Sequence, residues 1–360
     1  NPIGDPFYAA DINMGSGNDF VRADVNGNLK AVLGAGDDVI GIPNVDGVAH
    51  VKAGSGDDEL RTGYRGISDA DSFTGGDGTD TVFAKNDNGN SGINNGLEAL
   101  NESGDFGQVT STEVISILDD QVMAASQWVS FDGVNTGAND AGVRNYMFEM
   151  DDWSGDGDIE SNYKLTNIAS ESTLDIGLDG SDLEFFELGL VSGGTSATVN
   201  LHLASDTMWD DFAVDNADEL TFVALDEDNN IFDVPTVTIG GPTTFTGNEL
   251  TTLNLQGNAH ITMQSIVSPN LDTIAGGDLA ADADLTLTSV ADGITVTTGV
   301  GDDTIVSNSA TADNIFTGDG DDSVSSGTGI DYIDLGAGED DAYFDATALT
   351  SADTLIGGDG

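Results

Sequence analysis

The chain has 360 residues, with 65 acidic against 8 basic side chains and a formal net charge of -57. A charge of this sign excludes nucleic acid as a natural partner and works against anionic membranes, leaving cations, cationic polymers or solvation in salty water. Cysteine is absent, which excludes disulfides, thiol catalysis and Cys-based zinc sites. Acidity alone is what a soluble, halophilic or disordered chain also shows. Here, however, 38% of residues are apolar, in short recurrent runs, and 48 Gly stand against only 6 Pro, which fits an ordered chain. No apolar run reaches transmembrane length, so no membrane insertion is expected, and no stretch of this sequence reads as a signal peptide. Asn1 opens the sequence and Gly357–Gly360 stop partway through another Gly-rich motif, so it reads as a piece of a longer chain.

Residues 1–90 carry a motif four times: GSGNDFV, GAGDDVI, GSGDDEL and GGDGTDTV. Gly15 and Gly17 precede Asp19, Gly34 and Gly36 precede Asp38, Gly54 and Gly56 precede Asp58, and Gly76 and Gly78 precede Asp80. The second glycine of each pair advances in steps of 19, 20 and 22 residues. The intervening turns, VNGN at 25–28 and NVDG at 44–47, are plausible turns but poorer cation sites.

Residues 91–240 are expected to form a less regular, β-rich middle domain. The stretch 112–129 is compatible with one amphipathic helix or with two strands, whereas LTFVAL (220–225) and PTVTI (235–239) alternate as strands do. All three Trp, at 128, 153 and 209, lie here and read as core or interface anchors, with carbohydrate stacking as the alternative.

From 241 to 360 the strand-like runs TTLNLQG, HITM, DLTLTS and GITVTTG lead directly into a second motif block. There Gly299 and Gly301 precede Asp303, Gly318 and Gly320 precede Asp322, Gly327 and Gly329 precede Asp331, and Gly336 and Gly338 precede Asp340. The steps are now 19, 9 and 9. Two residues after each of the eight motif aspartates stands Val21, Ile40, Leu60, Val82, Ile305, Val324, Ile333 or Ala342, all apolar. Eight matches in register form a specific signal; a single one would not.

The chemistry follows from the residue types. Glycine permits positive φ and close approach of backbone carbonyls. Aspartate adds a hard anionic oxygen, and such oxygens suit Ca²⁺, which tolerates irregular shells of six to eight ligands. The apolar residue starts a short strand facing a narrow core. Nine residues then make one turn and one strand, and two such units complete a coil.

This pattern resembles the RTX nonapeptide GGxGxDxUx, known as a calcium-loaded parallel β-roll. The resemblance covers roughly residues 10–85 and 295–360, under half the chain. It implies carboxylate ligands at Asp19, Asp38, Asp58, Asp80, Asp303, Asp322, Asp331 and Asp340, with carbonyl donors from the neighbouring glycines. In the N-terminal block only alternate turns carry the motif, so one calcium-lined edge is expected there, on coils slightly larger than eighteen residues. Residues 251–305 also resemble the L-T-T-L-N-L rungs of large type I-secreted bacterial surface proteins, among them surface-layer (S-layer) proteins. LEAL (97–100) and DELTFVAL (218–225) resemble such rungs more weakly.

Other candidate sites are weaker. Asp226 to Asn230 has EF-hand-like spacing, but Ile231 replaces the required Gly, and it reads as a solvated acidic turn; DDWSGDGDIE (151–160) is a similar case. His50, His202 and His260 stand far apart, and no HExxH, GxSxG or Walker loop is present.

The expected fold is all-β: a right-handed parallel β-helix or β-roll solenoid with calcium-binding turns. The expected function is non-enzymatic, a secreted structural protein that assembles with copies of itself at the cell surface, with several structural Ca²⁺ as cofactor. A cell-surface polysaccharide is a candidate partner. The alternatives are an RTX adhesin segment recognising glycan, ice or a cell, and a region of an RTX polysaccharide-modifying enzyme.

Overall fold

Strands form where the sequence alternates inward apolar with outward polar residues. Ser196–Leu203 (SATVNLHL) and Glu219–Asp226 (ELTFVALD) bury every second side chain, as a pleated strand with one face on a core requires. The computed structural model describes residues 10–45, 47–62, 72–86, 109–110, 114–119, 127–132, 145–151, 161–168, 170–179, 183–190, 192–203, 206–226, 234–239, 245–291, 293–344 and 348–360. Among these residues there is no helix, and every strand pairing is parallel.

Successive strands alternate between two faces. One face is a single fifteen-stranded sheet, running from Phe20–Val25 to Thr354–Ile356. The other carries a five-stranded sheet, from Ala10–Ser16 to Val109–Thr110, and an eleven-stranded sheet, from Gln127–Asp132 to Asp341–Tyr343. Each coil thus gives one strand to each face and pairs with the coils before and after it. One irregularity interrupts the pattern: Phe245–Gly247 bridges Thr207–Asp215 and His260–Ser268 beside Thr236–Ile239. The molecule is a parallel β-solenoid.

The region between 91 and 240 continues this solenoid wherever it is described. Val114–Asp119 and Gln127–Asp132 are two strands rather than one helix, one on each face. Val114–Asp119 pairs with Thr81–Asn86 of the N-terminal block, and Glu219–Asp226 pairs with Thr252–Gly257 of the C-terminal region. LEAL (97–100), Trp153 and residues 152–160 lie outside the described residues, as do residues 227–230 of the EF-hand-like run.

Coil size changes along the axis. In-register partners are 19 residues apart at Ala10↔Leu29, 33 at Glu219↔Thr252 and 18 at Asn314↔Tyr332. The wide middle coils have strands of eight or nine residues and a core deep enough for aromatics. Phe186 stacks on Trp209 and on Phe212, each at 5.3 Å, and Phe222 packs edge-on to Phe212 at 5.0 Å. Trp209 is therefore a core anchor, completely buried. Towards the C-terminus the strands shrink to three residues, as in Ser323–Ser325 and Tyr332–Asp334, each burying one side chain. What remains of the core there is a column of aliphatics, Val296↔Ile315↔Ile333, facing Ile305↔Val324↔Ala342 from the other sheet.

Candidate functional site

The motif turns form the edges of the solenoid, where the chain passes from one face to the other. Gly34 takes φ +122°, and a Cβ there would overlap the carbonyl oxygen of Gly15 one coil earlier. Backbone therefore stacks directly on backbone, and only glycine meets both the torsion and the closeness. Gly336, stacked on Gly318, repeats the arrangement in the C-terminal block.

Two hydrogen-bond ladders run along these edges in opposite directions. In the inner ladder each motif Asp after Asp19 accepts from the backbone of the coil before it. The N–H of Asp19 donates to Asp38 Oδ1 (2.7 Å), that of Asp38 to Asp58 Oδ1 (2.8 Å), and that of Asp58 to Asp80 Oδ1 (2.9 Å). In the C-terminal block Ala283 N–H donates to Asp303 Oδ1 (2.7 Å), Asp303 N–H to Asp322 Oδ1 (2.8 Å) and Asp322 N–H to Asp340 Oδ1 (3.0 Å). The outer ladder uses the residue just before each motif Asp and accepts from the following coil. Asp57 N–H donates to Asp37 Oδ1 (3.0 Å), Asp321 N–H to Asp302 Oδ1 (2.8 Å) and Glu339 N–H to Asp321 Oδ1 (2.8 Å).

The inner aspartates are buried. Asp38, Asp58, Asp303 and Asp322 are each 1% exposed. Their Oδ2 atoms, and that of Asp340, lie buried with no hydrogen-bond partner. A buried carboxylate oxygen without a donor is costly, and successive coils about 4.8 Å apart bring like charges together. At that separation two carboxylates repel by about 3 kcal/mol for an effective dielectric of 20. Burial pushes Asp303 up to about 7, against the hydrogen bond from the Ala283 backbone; the charges of Asp322 and Asp282 push the same way as burial. Burial likewise raises Asp58 and Asp322, with neighbouring aspartates adding to it.

The acidic edge changes sides along the axis. In the N-terminal block Asp19, Asp38, Asp58 and Asp80 stand on turns leading into the fifteen-stranded sheet. In the C-terminal block Asp303, Asp322 and Asp340 stand on turns leaving it, and Asp331 on a turn entering it. Asp331 has companions that the glycine pattern does not mark. Asp313 N–H donates to Asp331 Oδ1 (3.1 Å), and Asp331 N–H to Asp353 Oδ1 (3.0 Å). Asp353 also accepts from the Thr350 backbone, and these bonds hold its carboxyl below the ordinary value. The usable signal for both is an Asp two residues ahead of an apolar residue, Ile315 or Leu355, at a coil's distance from Asp331. Asp19, on the first described coil, donates to the ladder but is only half-buried.

The three histidines are far from one another along the solenoid and make separate local contacts: His50 with Ser72 (2.7 Å), His202 with Asp175 (3.4 Å), and His260 with Asp282.

The orphaned Oδ2 atoms give a test of whether the edges suit a cation. They are hard, anionic and desolvated, which is the donor chemistry calcium selects. Among the described residues no three Asp, Glu or His side chains converge on one point. A cation here would complete its shell with main-chain oxygens, which the stacked glycine turns bring close together. The residues fit that group. No protein-family model, curated protein or solved structure matches the chain.

Proposed function

We propose that the chain is a calcium-dependent structural solenoid of the RTX type, acting outside the cell. The observation that carries this reading is the inner ladder, in which Asp38, Asp58, Asp303, Asp322 and Asp340 each have one oxygen fixed by the neighbouring coil's backbone and the other buried without a hydrogen-bond partner. Calcium bound between stacked turns supplies the missing positive charge to those oxygens. The aspartates hold the turn geometry through Oδ1 and present Oδ2. The outer carboxylates keep consecutive turns in register from the solvent side.

The tapering core supports the same reading. Three-residue strands with a single buried side chain provide little apolar burial to offset the chain entropy of a nine-residue unit. Ligand binding that occurs only in the folded state then becomes folding free energy. With millimolar calcium outside cells, such a chain folds where calcium is abundant and stays soft where it is scarce. A long, parallel, two-faced solenoid with few basic groups is suited to repetitive contacts between copies of itself, bridged by the same cation. This favours a surface-layer or filament subunit over an adhesin or a catalytic module.

Circular dichroism and electron microscopy test the two halves of the reading. Calcium is expected to raise the β signal of the chelated protein and to bring dispersed particles into a lattice or filament. A β spectrum unchanged by thorough chelation would remove the calcium half. Persistently dispersed particles in calcium would remove assembly.

A further inference from the structure

One turn into the fifteen-stranded sheet does the work of a motif turn without containing a glycine. Residues 309–313, SATAD, stand one coil before GTGID at 327–331 and in register with it. Thr328 N–H donates to the Ser309 carbonyl (3.0 Å), and Asp313 N–H donates to Asp331 Oδ1 (3.1 Å). A Cβ on Gly327 or Gly329 would overlap the carbonyl oxygens of Ser309 and Thr311. Ser309 and Thr311 thus hold the two glycine places and Asp313 the aspartate place. Glycine is demanded by the crowding of the next coil, so the earlier one is free to carry side chains.

Those side chains are hydroxyls, and they organise the turn around Asp313. Ser309 Oγ and Thr311 Oγ1 are 2.8 Å apart, and Thr311 N–H donates to Ser309 Oγ (3.1 Å). Gly293 N–H donates to Thr311 Oγ1 (3.0 Å), tying the turn to the preceding coil. Ser307 Oγ donates to Asp313 Oδ2 at 2.8 Å. Asp313 is 1% exposed, and its Oδ1 is buried with no hydrogen-bond partner.

The geometry points to a further cation site at this turn, built on Asp313 Oδ1 and outside the glycine-aspartate pattern. Ser307 Oγ occupies Oδ2, yet no donor meets the buried Oδ1, so the turn leaves a hard oxygen open to a positive charge. The polar side chains of Ser309, Thr311 and Asp313 offer only oxygen, which selects a hard divalent cation such as Ca²⁺. The inference rests on the reading that the edges take calcium.

Equilibrium dialysis of the whole chain against CaCl₂, with bound calcium counted by atomic emission, tests it. Asp313→Asn is expected to bind one calcium fewer than wild type and to melt no lower than wild type in chelator. Asp313→Glu, which keeps the charge, is expected to weaken one site at least tenfold while leaving the others unchanged. If wild type binds calcium and both variants bind the same number with the same isotherm, Oδ1 holds a proton or a water and the site is refuted. If wild type binds no calcium, the broader reading fails and this site with it. Should Asp313→Asn not fold, the Asp313→Glu isotherm decides alone, an unchanged curve overturning the site.

Discussion

The backbone N–H of Asp303 donates to Oδ1 of Asp322 at 2.8 Å, while Oδ2 of both residues lies buried without a donor. One bond locks the two coils in register and aligns two carboxylates along the edge. The structure therefore concentrates negative charge where water is excluded, and the neighbouring backbone donors satisfy only half of each carboxylate.

Stability should respond to pH in opposite directions with and without calcium. Asp303 has a folded value of about 7 against an ordinary 3.8, so the metal-free folded state binds its proton more tightly than the unfolded chain. Its contribution is complete below the unfolded value and is lost as pH rises through about 7. That loss is on the order of 4 kcal/mol for this single group. The chelated protein should melt higher at pH 5 than at pH 8. In calcium the order should reverse, since ligation requires the deprotonated form. Calorimetry in EGTA and in CaCl₂ across this range checks both signs, and the same sign in both buffers would contradict the model.

Inner and outer acids should differ in consequence. Asp321 is exposed and accepts only the Glu339 N–H, so Asp321→Asn should change stability by no more than about 0.5 kcal/mol. Asp322→Ala removes the acceptor of the Asp303 N–H inside the buried row. In calcium it should cost about 1–3 kcal/mol from the unsatisfied donor alone, plus the lost ligand. Equal effects from the two substitutions, measured by denaturant melts in CaCl₂, would show that burial does not separate the ladders.

Glycines inside the solenoid should not be equally sensitive. Gly41 has no positive φ and a Cβ there meets the Val21 carbonyl at 3.9 Å, an ordinary contact, whereas Gly34 takes φ +122° and a Cβ there overlaps the Gly15 carbonyl. Gly41→Ala should change stability by no more than about 1 kcal/mol. Gly34→Ala should cost visibly more, about 1–3 kcal/mol of torsional strain with the separation of two coils added to it. Thermal melts of the two variants rank them, and the reverse order would mean that the motif turns are not closely stacked.

Much of this was legible because the edges impose their needs at fixed intervals. Gly34 and Gly54 are required by backbone crowding, Ile40 and Leu60 by the core column, and the steps between motifs are coil lengths. The register that sets Asp322 and Asp340 on one edge and Asp331 on the other follows from a nine-residue unit. Asp313 escaped that reading because its turn has room for Ser309 and Thr311, so the glycine signal is missing where the geometry is not. The middle coils were harder to read for a different reason. Their spacing varies, from 23 residues at Ser196↔Glu219 to 33 at Glu219↔Thr252, because a core filled by Phe186, Trp209 and Phe212 tolerates turns of unequal length. Strand alternation survives there, but no repeat marks it.

The same contrast predicts that calcium removal loosens the molecule unevenly. Glu219–Asp226 buries Leu220, Phe222 and Ala224 completely and packs on the aromatic stack. Replacing Trp209 by Ala should cost about 3–5 kcal/mol with or without calcium, since its ring lies in the core far from either acidic ladder. Residues 304–343 have three- and four-residue strands and the inner aspartates of two edges. In EGTA their amides should therefore exchange rapidly while those of Glu219–Asp226 stay protected, because the first region depends on its edges and the second on its core. Hydrogen exchange followed by mass spectrometry resolves the two regions. Simultaneous loss of protection in both would mean that the solenoid melts as one unit and that calcium supports its whole length.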